Sequence, residues 1–249
     1  MGMQRSVPWV VVLLLGFWLG GCSVLPAGPE TVVQAPGTLP ETRADVPDDE
    51  IYWWYVRFRM AWPEGEDAPW QPDLWLADRV LGPVLDDEAE AIALWRFHRR
   101  AARDGAGRQF SFIFRASPET AARVNGRIRA DGVVRWMQAD GLLQAVVFDD
   151  PARPSRTGIG DTSDPAWTPA MQRAWPHFIM GVSRLWLELI RELERDGDWP
   201  SAPEARYTAI SEALDMQWRN EGGHALLHHL NAVFGYKEVQ ILRRELLRF

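Results

Sequence analysis

The chain has 249 residues, a formal net charge of −7 and 24% charged residues. That acidic balance argues against nucleic acid as a bulk partner, because a phosphate backbone is met by a basic face. The single cysteine, Cys22, leaves no internal disulfide, Fe–S ligation or cysteine-type zinc site, and the length suffices for one domain with a sizeable core.

Residues 1–5 carry one positive charge, Arg5, and residues 7–19 are uncharged and almost wholly apolar. The run falls short of the ~20 apolar residues that a membrane-spanning helix needs. It ends on Leu19-Gly20-Gly21-Cys22. This segment resembles the signal peptide and lipobox of bacterial lipoproteins, whose pattern is Leu, a small residue, Gly or Ala, then Cys. The resemblance covers residues 1–23 alone. It implies a signal peptide over 1–21, cleavage before Cys22, diacylglycerylation of the Cys22 thiol and acylation of the new amino terminus. The implied location is the bacterial cell envelope, with the membrane as partner through the N-terminal lipid. Ser23, a residue other than Asp, implies the outer membrane, facing the periplasm, in a Gram-negative source.

Residues 22–50 then read as a lipidated Cys and a tether. Pro26, Pro29, Pro36, Pro40 and Pro47 stand among few large apolar side chains. Such a segment cannot bury enough surface to offset the entropy of ordering it. Its acidic end, Asp45, Asp48, Asp49 and Glu50, reads as a solvated run.

A first strand is predicted over 51–62, where Tyr52, Trp54, Val56, Phe58 and Met60 alternate with Trp53, Tyr55, Arg57 and Arg59. Asp73 is expected to cap a short helix that Gly82-Pro83 breaks or kinks. Residues 93–115 alternate on both sides of Asp104-Gly105-Ala106-Gly107, which favours a β-hairpin over a continued helix. Ser117-Pro118-Glu119 has the chemistry of a helix start. Residues 133–137 fit helix or strand, and 142–148 read as a last strand. The order over 51–150 is β-α-β-β-α-β. The predicted fold class is therefore α+β, a ferredoxin-like plait, with a long loop and a mainly helical region over 151–249 packed on it.

In that second region a helix is predicted over 176–195. Its apolar stripe is Phe178, Val182, Leu185, Leu189 and Leu193, widened by Ile179, Trp186 and Ile190. It should be central to the core, with Phe178, Trp186 and Leu189 largely buried. Ser201-Ala202-Pro203-Glu204 fits a capping box for the next helix, and Gly222-Gly223 should end it. Residues 239–249 fit a helix or a short strand.

Candidate ligand-binding residues follow from the strand parities. A plait leaves one sheet face open, and Arg57, Arg59, Arg96, His98 and Arg115 fall on matching parities. Clustered arginines beside aromatic rings suit an anionic or glycan ligand. The competing arrangement has the C-terminal helices covering this face and the arginines paired with carboxylates. Glu221, His224 and His228 have the spacing of metal ligands on one helix face, but Gly222-Gly223 interrupts it, and His229 should point elsewhere. No nucleophile elbow, phosphate loop or EF-hand pattern is present, no catalytic residue is assigned and no cofactor is implied. The expected function is a lipid-anchored envelope protein that binds or scaffolds, its partner being an anionic envelope ligand or an envelope protein. The alternative is a hydrolase-like envelope enzyme using His98 or the His224–His228 region.

Overall fold

The computed structural model describes residues 50–237. Leu19, Gly20, Gly21 and Cys22, the tether up to residue 49, and residues 238–249 lie outside them. The described chain is α+β, a four-stranded antiparallel sheet with helices. Its strands are β1 (Tyr52–Met60), β2 (Leu94–Ala101), β3 (Arg108–Ala116) and β4 (Leu143–Phe148), in the spatial order β2-β3-β1-β4.

Alternation on β1 sorts its side chains as the sequence predicts. Trp54, Val56 and Phe58 lie opposite Phe114, Phe112 and Phe110 of β3, and Trp95 and Phe97 of β2 join the same face. These rings form the floor of the core, all of them under 10% exposed. The helices that close it are α1 (Gln71–Leu76), α2 (Gly82–Asp87), α3 (Pro118–Ala130) and α4 (Gly132–Ala139). They contribute Leu74, Leu76, Val84, Val124, Ile128 and Met137. Burial of this apolar surface is the main favourable term in folding.

Local chemistry explains most boundaries. Ser117 Oγ accepts from Thr120 N–H at the start of α3, as its sequence implies. Asp131 caps α4 through Val133 N–H and Val134 N–H, which settles residues 133–137 as helix. Gly82-Pro83 does not break the chain's helical course. A π-helical turn, Ala77–Leu81, links α1 to α2, and Gly82 N–H donates to Ala77 O five residues back. The wider turn relieves the clash that Pro83 would make in a regular helix.

Two expected caps are absent. Asp73 does not cap α1; it lies in the first turn with its side chain wholly buried. Ser201 does not cap α6 (Pro203–Gln217), whose first turn begins at Pro203 without a side-chain cap. Gly222-Gly223 does not end that helix either. The chain continues as a π-helical stretch, Trp218–His228, and then α7 (His229–Val233). Gly222 is needed for space: a Cβ there would lie 2.5 Å from Cε3 of the Trp218 indole.

The helix α5 (Pro169–Asp196) starts earlier than its apolar pattern suggests, at a Thr168 cap, and carries Pro176 inside it. Proline has no N–H to give to the carbonyl four residues back. That carbonyl, Gln172 O, accepts instead from Ser163 Oγ at 2.7 Å. The buried side of α5 is Pro176, Ser183, Leu187 and Ile190. Phe178 and Leu185 are 40% and 41% exposed, so the expected stripe faces the core only in part: Ile190 is buried, and Trp186, Leu189 and Leu193 are half-buried against the core.

Candidate functional site

The predicted arginine face exists as a face. The register sets Trp53 opposite Arg115, Arg57 opposite Ser111, Arg96 opposite Ile113, and His98 opposite Ser111. Odd residues of β1 and β3 and even residues of β2 therefore share one side of the sheet. What covers it is the loop of residues 149–168, joined by Met180 of the C-terminal helix α5 against Trp53, Leu94 and Ile113. Trp53 N–H donates to Arg156 O, and Trp53 Nε1 donates to Gly158 O and Ile159 O. Arg115 Nη2 donates to Thr157 O at 3.1 Å, and Arg96 Nη2 to Thr162 O at 2.7 Å. Arg57 and Arg156 bracket the Asp149 carboxylate at 3.0 and 2.7 Å, and both guanidinium groups lie over the Tyr55 ring.

Arg59 and His98 remain exposed on this face, and Arg59 makes no ion pair among the described residues. His98 is held below the ordinary histidine pKa. Partial burial of its ring is the larger cause, and the positive Arg96 and Arg100 on either side add to it. Arg100 itself is bound to Asp104 and to Gly107 O.

A second surface was not expected. The outer edge of β2 is covered by α5, where Phe97 N–H donates to Ser183 Oγ at 3.1 Å and Ser183 Oγ donates to Ile179 O. Beside this seam runs a groove of about 510 Å³, bounded by α5, α6 and the π-helical stretch. Its apolar lining includes Val182, Leu185, Trp186, Leu189, Trp218 and Leu226. Asp215 and Glu221 stand on its rim, exposed and without an ion pair among the described residues.

One wall of the groove is Arg99, held between the indoles of Trp70 and Trp186 at 4.8 and 5.1 Å. Its charge is turned inward: Arg99 Nε donates to Asp73 Oδ2 at 2.8 Å, and Arg108 Nη2 donates to Asp73 Oδ1 at 2.7 Å. Burial pushes the Asp73 carboxyl above its ordinary value, against the pull of Arg108 and Arg99. Arg108 Nε and Nη1 are buried without a hydrogen-bond partner, and the Trp70 ring over the guanidinium at 4.6 Å takes up part of that loss. The sequence does carry a trace of this cluster. Arg99 shares its strand parity with Trp95 and Phe97, and a charge on an apolar parity needs a buried partner.

The histidines gather more closely than helical spacing predicts. His224 and His228 stack at 4.9 Å, and His229 meets both edge-on at 4.9 and 5.2 Å. The π-helical winding brings His229 round to its neighbours. Among the described residues no group of three His, Cys, Asp or Glu is placed to hold a metal ion, and Glu221 stands on the groove rim instead. A separate hollow of about 370 Å³ lies between α1 and α6, lined by Trp75, Glu204 and Tyr207. Burial and the neighbouring Asp78 carboxylate raise the Tyr207 pKa, so its hydroxyl stays protonated and donates to Asp78 Oδ2.

No protein-family model matches the chain, and no curated protein matches it. A crystal structure of TsrL is similar over 75% of this chain and 49% of its own length, at 16% identity and a TM-score of 0.36, a likeness that carries no argument about function.

Proposed function

We propose that this chain is a lipid-anchored protein of the bacterial envelope, and that its folded region binds or scaffolds a partner through the groove along α5. One observation carries the binding role. Leu185 is 41% exposed, and Val182, Trp186 and Leu189 beside it keep part of their surface open, on a helix whose other side, at Leu187 and Ile190, is fully packed. Apolar surface held in water costs about 25 cal/mol per Å² that burial would recover. A row of such residues in a concave surface is what a ligand or partner covers. The match at Leu19, Gly20, Gly21 and Cys22 supports the anchor and the envelope location. The strand order β2-β3-β1-β4 with every pairing antiparallel supports the ferredoxin-like plait.

An anionic ligand on the sheet face is a second reading, favoured by the exposure of Arg59 and His98. Its weight is reduced because Arg57, Arg96 and Arg115 already donate to the loop.

Two measurements test the first reading. Cys22→Ala should leave an unprocessed precursor, and an unmodified Cys22 in the mass spectrum of the mature parent would remove the anchor. An anilinonaphthalene sulfonate dye should bind the parent and lose its fluorescence with Leu185→Arg. Equal fluorescence in parent and variant would mean the groove is not the apolar binding surface.

A further inference from the structure

We infer that the groove receives an amphipathic helix of a partner protein, one with a basic flank beside its apolar face. The inference rests on the binding role proposed above and names the partner's chemistry. Recognition of a peptide at this place could use a strand or a helix. A strand would add to the outer edge of β2, but α5 occupies that edge, and Phe97 N–H is already taken by Ser183 Oγ. Strand addition needs free backbone donors and acceptors along the edge. A helix needs an apolar trough of about three turns for its i, i+3 or i+4, and i+7 anchors. From Ile179 to Leu189 the lining of α5 advances roughly 15 Å at the helical rise of about 1.5 Å per residue, which is that length.

The rim decides the sign of the partner's charge. Arg99 is spent on Asp73, so its charge faces the core. Asp215 and Glu221 are exposed and make no ion pair among the described residues. Two exposed carboxylates on one rim call for donors and positive charge. Lysine or arginine beside the apolar anchors supplies both. An acyl chain with an anionic head would bring a negative charge to this rim and is disfavoured. Trp186 and Trp218, large rings on facing walls, are the expected anchors of the interface energy.

The test uses the full chain in zwitterionic lipid nanodiscs. The probe is a labelled synthetic helix of about 18 residues built from Leu and Lys, long enough to hold helical form. A second probe has Glu in place of every Lys. Fluorescence anisotropy should show the Lys probe binding about tenfold more tightly than the Glu probe at low salt, with the gap closing near 1 M salt, where the screening length is ~3 Å. Leu185→Arg should weaken the Lys probe by about tenfold, in the range of a lost interface anchor. Asp215→Asn with Glu221→Gln changes no buried group and should remove most of the preference for Lys. Equal binding of the two probes, or no effect of Leu185→Arg, overturns the inference. If the apolar dye still reports the groove while neither helix binds, the partner class is wrong and the binding role stands; if dye and helices all fail, both fall. A chain ending at Lys237 that binds the probe about tenfold more tightly would make the protein's own C-terminal residues the occupant, and self-association abolished by Leu185→Arg would make it a second copy; either overturns the assignment to a partner.

Discussion

Asp73 and Arg108 face each other in the core at 2.7 Å, and neither side chain reaches solvent. The pair is completed by Arg99, so two guanidinium groups share one carboxylate. Removing the carboxylate would leave both positive charges without a counterion in a dry site. Asp73→Asn should therefore cost about 3–5 kcal/mol, the usual penalty for breaking a buried pair. Adding Arg108→Met to that variant should recover part of the loss, because the more deeply buried charge is then gone as well. Urea denaturation of the three proteins measures both steps. A loss under about 1 kcal/mol for Asp73→Asn would show that the cluster is hydrated rather than dry.

The two faces of α5 make opposite predictions from adjacent residues. Ile190 is fully buried, so Ile190→Ala should cost about 2–5 kcal/mol. Leu189 is half-buried in the groove wall, so Leu189→Ala should cost clearly less, on the order of 1 kcal/mol. Equal losses in thermal or denaturant unfolding would mean that the groove is closed in solution and Leu189 belongs to the core.

His98 gives a pH signature. Its folded-state pKa lies below the unfolded value of about 6.5, so the unfolded chain binds the proton more readily. The contribution is fully present above that unfolded value and is lost as pH falls through the folded one. His98→Gln should flatten the fall in stability just below about pH 6.5 relative to the parent. Parallel stability curves for the two proteins across that window would sink the assignment. The carboxylates, common to both, cancel in the difference.

Asp149 fastens the loop over the sheet through Arg57, Arg156 and Tyr55 N–H. Asp149→Ala should loosen residues 149–168 while the core stays folded. Trypsin reports this directly at the Arg156–Thr157 bond, because Asp149 is the partner that holds Arg156. Cleavage after Arg156 should speed up severalfold while the far-ultraviolet circular dichroism is unchanged. An unchanged cleavage rate would show that the carbonyl contacts hold the loop without Asp149.

What the sequence revealed divides along a physical line. Period-two alternation reports burial directly, so β1, the hairpin and the shared side of Arg57, Arg59, Arg96, His98 and Arg115 were legible. The covering loop was not, because its anchors are backbone carbonyls, which every residue has. The stripe on α5 was legible as apolar but not in how deeply each residue sits: Ile190 docks with Leu187 in the core, Trp186 and Leu189 pack at its edge, and Phe178 and Leu185 stay exposed. Asp73 and Ser201 illustrate a different failure. Each had the chemistry of a cap, yet at Asp73 a buried pair of arginines was the stronger claim on the carboxylate. Gly222-Gly223 looked like a stop signal, while at Gly222 the missing side chain makes room for Trp218.

The loop over the sheet is held at Arg156 O, Thr157 O, Gly158 O, Ile159 O and Thr162 O, with the donors on the strands. A main-chain oxygen survives substitution of its residue, so an exposed position such as Thr157 is free to change while the path stays put. Much of the information that fixes the path is therefore written elsewhere, in Trp53, Arg96 and Arg115. Replacing the exposed Thr157 should then be tolerated, whereas Trp53→Phe removes one donor and loses two contacts in the loop. Relatives of this chain would best be sought by those strand positions together with Asp149, Arg156 and Ser163, with the exposed letters of the loop left open.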